Sequence, residues 1–382
     1  LPLPRSRFRL PCAALALAAA LAAFPARAEV RVDGRIIQDA WGVPHVGNKP
    51  PKTRDIPNFR EELRLLVDGL AQYAETRDSR FILIGRMPLG LMATSDWERQ
   101  REALLDPASL DRELIPDDAP GGPFRRVLRD FDAIAFDDVN CPVPPPKPDA
   151  RRPTLAEERR AAQLITLTAA IHTSGKPVLS LDACSPPISA FDLAKKSRET
   201  KSLSVVAVGT PEAPKRLPTG RPPFENPANV DSLSGVRNAI WLRSPRAYAA
   251  KEDWLLAMGK SNADMVIVDA FYAADQPLSK AEVEAIKYKF MGARRLVLAE
   301  IDLTAARDDR FYWKREWKVG EPPFLREPQP GIPTGILVNY WDPAWKEILG
   351  LHFKGLMDLG FDGVLIDGLS AADRPEHEII LE

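Results

Sequence analysis

Three short apolar runs in the second half of the chain, MVIVDAF, RRLVLAEID and DGVLIDG, each end at an acidic residue. The acids are Asp269, then Glu300 and Asp302, then Asp367. A carboxyl group can donate or accept a proton, attack an electron-poor carbon, or face a developing positive charge, and paired carboxyls on separate strands can divide these tasks. Glu300 and Asp302 are two positions apart, so in a strand both point to the same side. Two buried acids on one side need either a use or a cationic partner, for which Arg86 and Arg307 are the candidates. A carboxylate at a strand end can equally cap the helix that follows, and that simpler role is open for Asp269 and Asp367.

The elements that must hold these groups are legible as alternating strands and helices. Four β-rich runs, FILIGRM, DAIAFDDV, KPVLSLDAC and SLSVVAVGT, precede a proline-rich stretch at 211–229, and AIWLRS, MVIVDAF, LVLAEID and GVLIDG follow it. Continuous apolar runs read as strands buried on both faces, which is the habit of parallel sheets. Helical spacing lies between them, as at Phe59, Leu63, Leu66, Val67 and Leu70, or at Ile348, Leu349, Leu356 and Met357. Eight strand–helix units point to an α/β fold, a closed (β/α)8 TIM barrel, whose C-terminal rim is built from strand ends. ILVNYW is an optional ninth strand, its aromatic flanks suiting a loop that lines a site.

Composition narrows the function classes. The chain has 382 residues and a formal net charge of -1, with no basic run carrying interleaved aromatics, so no nucleic-acid partner is expected. There is no G-x-G-x-x-G after a strand, no phosphate-binding P-loop, no H-E-x-x-H and no G-x-S-x-G. With four histidines and three cysteines dispersed along the chain, neither a metal nor a cofactor is expected. Arg5, Arg7 and Arg9, an apolar run from Cys12 to Phe24 and the Ala26-Arg27-Ala28 triplet read as a cleaved export signal over 1–28. The run is too short to span a bilayer, and no other stretch is apolar enough. A periplasmic or secreted protein follows as the expectation, with 29–382 forming one barrel.

Beyond these generic signals, the second half resembles the endo-alpha-1,4-polygalactosaminidase-like family of glycoside hydrolases. The resemblance is carried by ADMVIVDAF, PLSKAEVEAIK, DDRFYWKREW, NYWDPAWKEIL and GFDGVLIDG. It implies an exported (β/α)8 barrel acting on, or binding, an amino-sugar-containing polysaccharide. The first half resembles the same family out of order, because NFREELRLLVDGLAQYA, FILIG and KPVLSLD look like segments that normally follow the G-F-D-G-V strand. A circular permutation accounts for this: 29–210 is the family's C-terminal half, 230–382 its N-terminal half, and 211–229 the linker joining the old termini. Duplicated halves or two separate domains are the competing organisation.

Within the resemblance, Asp269 matches the family's acid after its second strand and Asp367 the acid closing G-F-D-G-V-x-x-D. The family's two glutamates before the F-Y-W fall on Ala305 and Arg307, which cannot transfer a proton. Glu300 or Asp302 must then supply the second carboxyl, or the barrel binds sugar without cutting it. Asp137, Asp138 and Asp182 are expected at the mouth as substrate contacts, and Trp313, Tyr340 and Trp341 as stacking faces, with Trp345 assigned to the core. The permuted order makes DAIAFDDV and KPVLSLDA neighbours and places Cys141 and Cys184 within reach of a disulfide.

Overall fold

Eight short strands close into a single ring in the computed structural model, which describes residues 31–32, 35–36, 52–107, 122–141, 166–167, 169–184, 187–379 and 381. They are β1 (Ile82–Arg86), β2 (Ala133–Asp137), β3 (Val178–Asp182), β4 (Leu203–Val208), β5 (Ala239–Leu242), β6 (Met265–Val268), β7 (Leu296–Asp302) and β8 (Gly363–Asp367). Each pairs in parallel with the next, and β8 pairs with β1 to complete the barrel. All eight runs picked out from the sequence are present. The halves before and after 211–229 contribute four strands each to one ring, so they are not two separate sheets. The expected export signal at 1–28 lies outside the described residues, among which no helix is long and apolar enough to cross a membrane.

Alternation along each strand sorts residues into two cores. One parity points inward and fills the barrel with Ile84, Ala135, Leu181, Trp241, Ile267, Leu298 and Leu365. The other parity points outward beneath the helices. The helices are α1 (Phe59–Arg77), α2 (Asp96–Leu105), α3 (Pro123–Arg129), α4 (Ala190–Thr200), α5 (Lys251–Gly259), α6 (Lys280–Ile286), α7 (Pro343–Leu359) and α8 (Asp373–Glu378). Their starts are written locally: Asn58 accepts from the Glu61 amide, and Ser95 and Ser279 form capping boxes with Glu98 and Glu282. In α7, Trp345, Leu349, Phe353 and Leu356 form one buried stripe at helical spacing. Tyr340, just ahead of that helix, donates its hydroxyl to the Phe59 carbonyl of α1.

ILVNYW does form a strand, but not in the barrel. Gly335–Val338 is the centre of a small antiparallel sheet with Ala305–Arg307 and Leu325–Pro328, inserted after β7. It walls one side of the barrel mouth. After β2 and β3, Cys141 and Cys184 are joined in a disulfide, their Cα atoms 5.1 Å apart.

The proline-rich stretch replaces the helix that would connect β4 to β5; this connection holds only a short 3-10 turn at Leu233–Gly235. Its end is pinned to the barrel floor. Lys289 and Asp264 form an ion pair at 2.6 Å with both side chains 0% exposed, which makes this contact a closed electrostatic unit. The same ammonium donates to the carbonyls of Asn226 and Ala228, and Asp264 accepts the Arg237 amide. Nearby, buried Arg295 donates to the carbonyls of Met258, Ser261 and Ile286, satisfying the C-terminal ends of α5 and α6. Burial lowers its pKa to about 10.

Removing one partner of a fully buried pair strands the other charge, at a cost of roughly 3–5 kcal/mol. Lys289→Met is therefore expected to destabilise the protein by about 3 kcal/mol in denaturant unfolding, with Lys289→Met/Asp264→Leu recovering much of the loss. A single variant as stable as the parent would show that the floor contact is not what pins the linker.

Candidate functional site

The acids and arginines of the barrel mouth follow from the inward parity. Two residues beyond the inward Ile84, Ala135, Trp241, Ile267, Leu298 and Leu365 stand Arg86, Asp137, Arg243, Asp269, Glu300 and Asp367. Charged side chains thus form the next layer of the filled barrel, at the C-terminal ends of the strands. Asp302 lies one further inward step along β7 and is the register partner of Asp367 on β8. Asp269, Glu300, Asp302, Asp367, Arg243, Arg307 and Arg310 line one pocket of about 650 Å³ together with Tyr312, Gln329 and His352.

The carboxyls are held in contrasting ways. Asp269 accepts from Arg310 at 2.6 Å and from the Phe271 amide at 2.9 Å, with Arg307 at 3.9 Å. Burial works to raise its pKa, but Arg310 and Arg307 outweigh it and hold the carboxyl below the usual range, so it is ionised. Glu300 has no cation bonded to it, and its partner is the Trp241 indole N–H at 2.9 Å. Burial first, then the negative charges of Asp367 and Asp269, push it up to about 7 against the pull of Trp241 and Arg243. Asp302 is raised for the same reasons, burial and then Asp367, although it accepts from the Thr304 amide and hydroxyl and from Gln329.

Asp367 and Asp137 share one guanidinium. Arg86 donates to Asp367 at 2.5 Å and to both oxygens of Asp137 at 2.7 and 2.9 Å. Arg86 was a candidate partner for Glu300 and Asp302, and it is bonded to neither; Arg307 pairs with Asp309 at 3.2 Å. Neither Asp269 nor Asp367 caps a helix, since Ser279 begins α6 and Asp367 accepts only its neighbour's Gly368 amide besides Arg86. His352 on α7 is half-buried among Phe271, Phe311 and Tyr312; its withdrawal from solvent and then Arg310 lower its pKa to about 3, which keeps it neutral.

Several expected contacts lie elsewhere. Asp182 has outward parity, is 2% exposed, and accepts from Ser180, Ser204 and Asn140 between β3, β4 and the loop after β2. That makes it a loop-fixing group and not a mouth residue. Asp138 turns the chain in a left-handed conformation (φ 55°) and accepts the Ala183 amide. Tyr340 is buried, Trp341 packs edge-on against Phe59, and Trp313 packs against Trp317, so none of these three lines the pocket. Trp345 is core, donating to the Leu303 carbonyl, while one face reaches the pocket. Phe311, between the pocket-lining Arg310 and Tyr312, is 56% exposed and stacked on Phe271.

Sequence reading passed over Arg310, Arg243, Trp241, Gln329 and His352. Arg243 and Trp241 could have been found, because they share the inward parity of AIWLRS. Gln329 and His352 reach the site from an inserted sheet and an outer helix, with no periodic signal. Among the described residues, the one set with metal-like spacing is Asp138, Cys141 and Asp182, and Cys141 is spent in the disulfide. A second pocket, about 680 Å³, lies under the linker against α4, β4 and β5, but no carboxyl lines it and it offers no acid–base pair.

Glu300 binds its proton more tightly in the folded chain (about 7) than at its ordinary 4.5. Between those values the folded state holds more protons, so stability falls as pH rises through that window and then levels off. Glu300→Gln removes this dependence and is expected to be the more stable protein at pH 8, by about 2 kcal/mol. Parallel pH–stability curves for the two proteins would refute the elevated pKa.

Comparison with known proteins gives relatives without a described activity. No protein-family model matches the chain. It is 32% identical over 155 residues to an uncharacterised protein of Deinococcus radiodurans, a match covering 41% of this chain and 47% of that one. It is 28% identical over 158 residues to the uncharacterised protein MJ1477 of Methanocaldococcus jannaschii (40% and 43%), and 30% over 138 residues to an uncharacterised protein of Thermotoga maritima (34% and 42%). The chain spans less than half the length of these curated relatives.

Proposed function

We propose that the barrel is an exported glycoside hydrolase of the polygalactosaminidase-like type, acting on an amino-sugar-containing polysaccharide. The observation that carries the proposal is the opposite tuning of two neighbouring carboxyls, Glu300 pushed up to about 7 and Asp269 held down by Arg310 and Arg307. Pairs of acids with separated pKa values divide the work of glycosidic cleavage. Glu300, protonated below neutrality, donates to the leaving glycosidic oxygen. Asp269, ionised throughout, faces the positive charge that develops at the anomeric carbon. The substrate class comes from the sequence resemblance, and the exposed ring of Phe311, next to the pocket-lining Arg310 and Tyr312, offers a face for a sugar. The disulfide between Cys141 and Cys184 supports an oxidising, extracytoplasmic setting. A circularly permuted order is compatible with the ring, whose first and last strands are hydrogen-bonded neighbours.

A second reading, binding without cleavage, is favoured by one feature. Arg310 occupies an oxygen of Asp269, and Ala305 and Arg307 stand where the resembled family carries glutamates. A carboxylate so held is a weak base and a weak nucleophile.

Reducing-end release from a partially deacetylated galactosaminoglycan separates the two. Release is expected from the wild type at pH 5–6, declining as pH passes about 7 because Glu300 loses its proton. Glu300→Gln and Asp269→Asn should each lower the rate by about 10²-fold or more while polymer binding persists. Binding with no release by the wild type would establish the binding reading. Neither binding nor release would remove the carbohydrate assignment.

A further inference from the structure

Three of the four guanidiniums around the mouth are engaged by carboxylates. Arg86 bridges Asp137 and Asp367, Arg307 pairs with Asp309, and Arg310 holds Asp309 and Asp269. Arg243 is different. Among the described residues its guanidinium makes no ion pair and no hydrogen bond, although it lines the pocket beside Glu300. Its guanidinium carbon sits 4.7 Å from the centroid of the Trp241 ring, on the same inward face of the β5 strand and its extension. Stacking covers one face of the guanidinium and leaves its N–H edges free. Trp241, in turn, spends its own N–H on Glu300. Arg243 is thus fixed next to the group assigned as acid, without neutralising it.

We infer that Arg243 is a substrate-recognition residue that binds a carboxylate on the sugar ring, so that the polysaccharide carries a uronic acid unit beside the cleavage position. This inference rests on the polysaccharide reading of the pocket and adds to it. A stacked guanidinium has a planar fork of donors and no acceptor, which matches a carboxylate in bidentate fashion and disfavours an ammonium. The carboxyls nearby, Glu300, Asp269 and Asp367, favour a singly charged group over a doubly charged phosphate ester. An amino group of the polymer would be accommodated at Asp302 on β7, to which no cation among the described residues is bonded. A copolymer alternating hexosamine and hexuronate supplies a partner for both groups.

The test is binding, measured by calorimetry on the full-length protein with hexosamine–hexuronate oligosaccharides of the chondroitin and heparosan types. Each is used native, carboxyl-reduced, and carboxyl-reduced with a sulfate ester in place of the acid. The native acidic oligomers are expected to bind about tenfold or more tightly than the carboxyl-reduced ones, with added salt narrowing the gap. Arg243→Gln should abolish that preference, so that native and reduced oligomers bind alike, and Arg243→Lys should restore only part of it. Equal affinity for native and reduced forms, a stronger preference for the sulfated form, or a preference that survives in Arg243→Gln would each overturn the inference. Failure of the hydrolase reading is separate, because it shows as absent reducing-end release from oligomers that still bind. Cleavage of a neutral or cationic polymer with no acid preference would leave the hydrolase reading intact and remove this one.

Discussion

Closure of the ring through the β8–β1 pairing is the contact on which the rest of the structure depends. It requires two strands to approach without side chains in the way. A Cβ on Gly363 would fall 2.3 Å from the Ile82 carbonyl oxygen, and one on Gly85 would fall 2.8 Å from the ring of Phe131. Glycine at 363 permits the pairing that runs from Gly363–Ile82 to Ile366–Gly85, while Gly85 makes room for the ring of Phe131 ahead of β2. That register brings the ends of the two strands level, so Arg86 meets Asp367. An open sheet would leave these groups on opposite edges. The mouth, with its shared guanidinium, exists because the ring is closed.

A closed barrel also concentrates charge. Inward positions at the C-terminal rim converge, so the acids there experience one another as well as their own burial. Carboxylates withdrawn from water are costly, and arginines offset this for Asp269 and Asp367. Glu300 receives only an indole N–H, and its elevated pKa is the direct result. Asp302, held by Thr304 and Gln329 without a bonded cation among the described residues, is raised as well.

The family resemblance places glutamates where this chain has Ala305 and Arg307. In the structure these residues form a strand flanking the pocket, and Arg307 reaches towards Asp269. A carboxyl at position 307 would raise the pKa of Asp269, whereas the guanidiniums of Arg310 and Arg307 lower it.

Much of the scaffold was legible without coordinates. Eight short apolar runs alternating with helical spacing read as strands buried on both faces, and all eight are in the ring. The parity of a strand also determined that Glu300 and Asp302 share a face. Parity was equally the point at which Asp182 was misplaced, since a shift of one residue turns a mouth group into a buried partner of Ser180 and Ser204. What tertiary structure alone decided is which acid is charged. Arg310 reaches Asp269 from an inserted loop, Trp241 reaches Glu300 from a non-adjacent strand, and Gln329 reaches Asp302 from the added sheet. A side chain's pKa is set by neighbours within a few ångströms in space, and around a closed ring those neighbours are far apart in the chain.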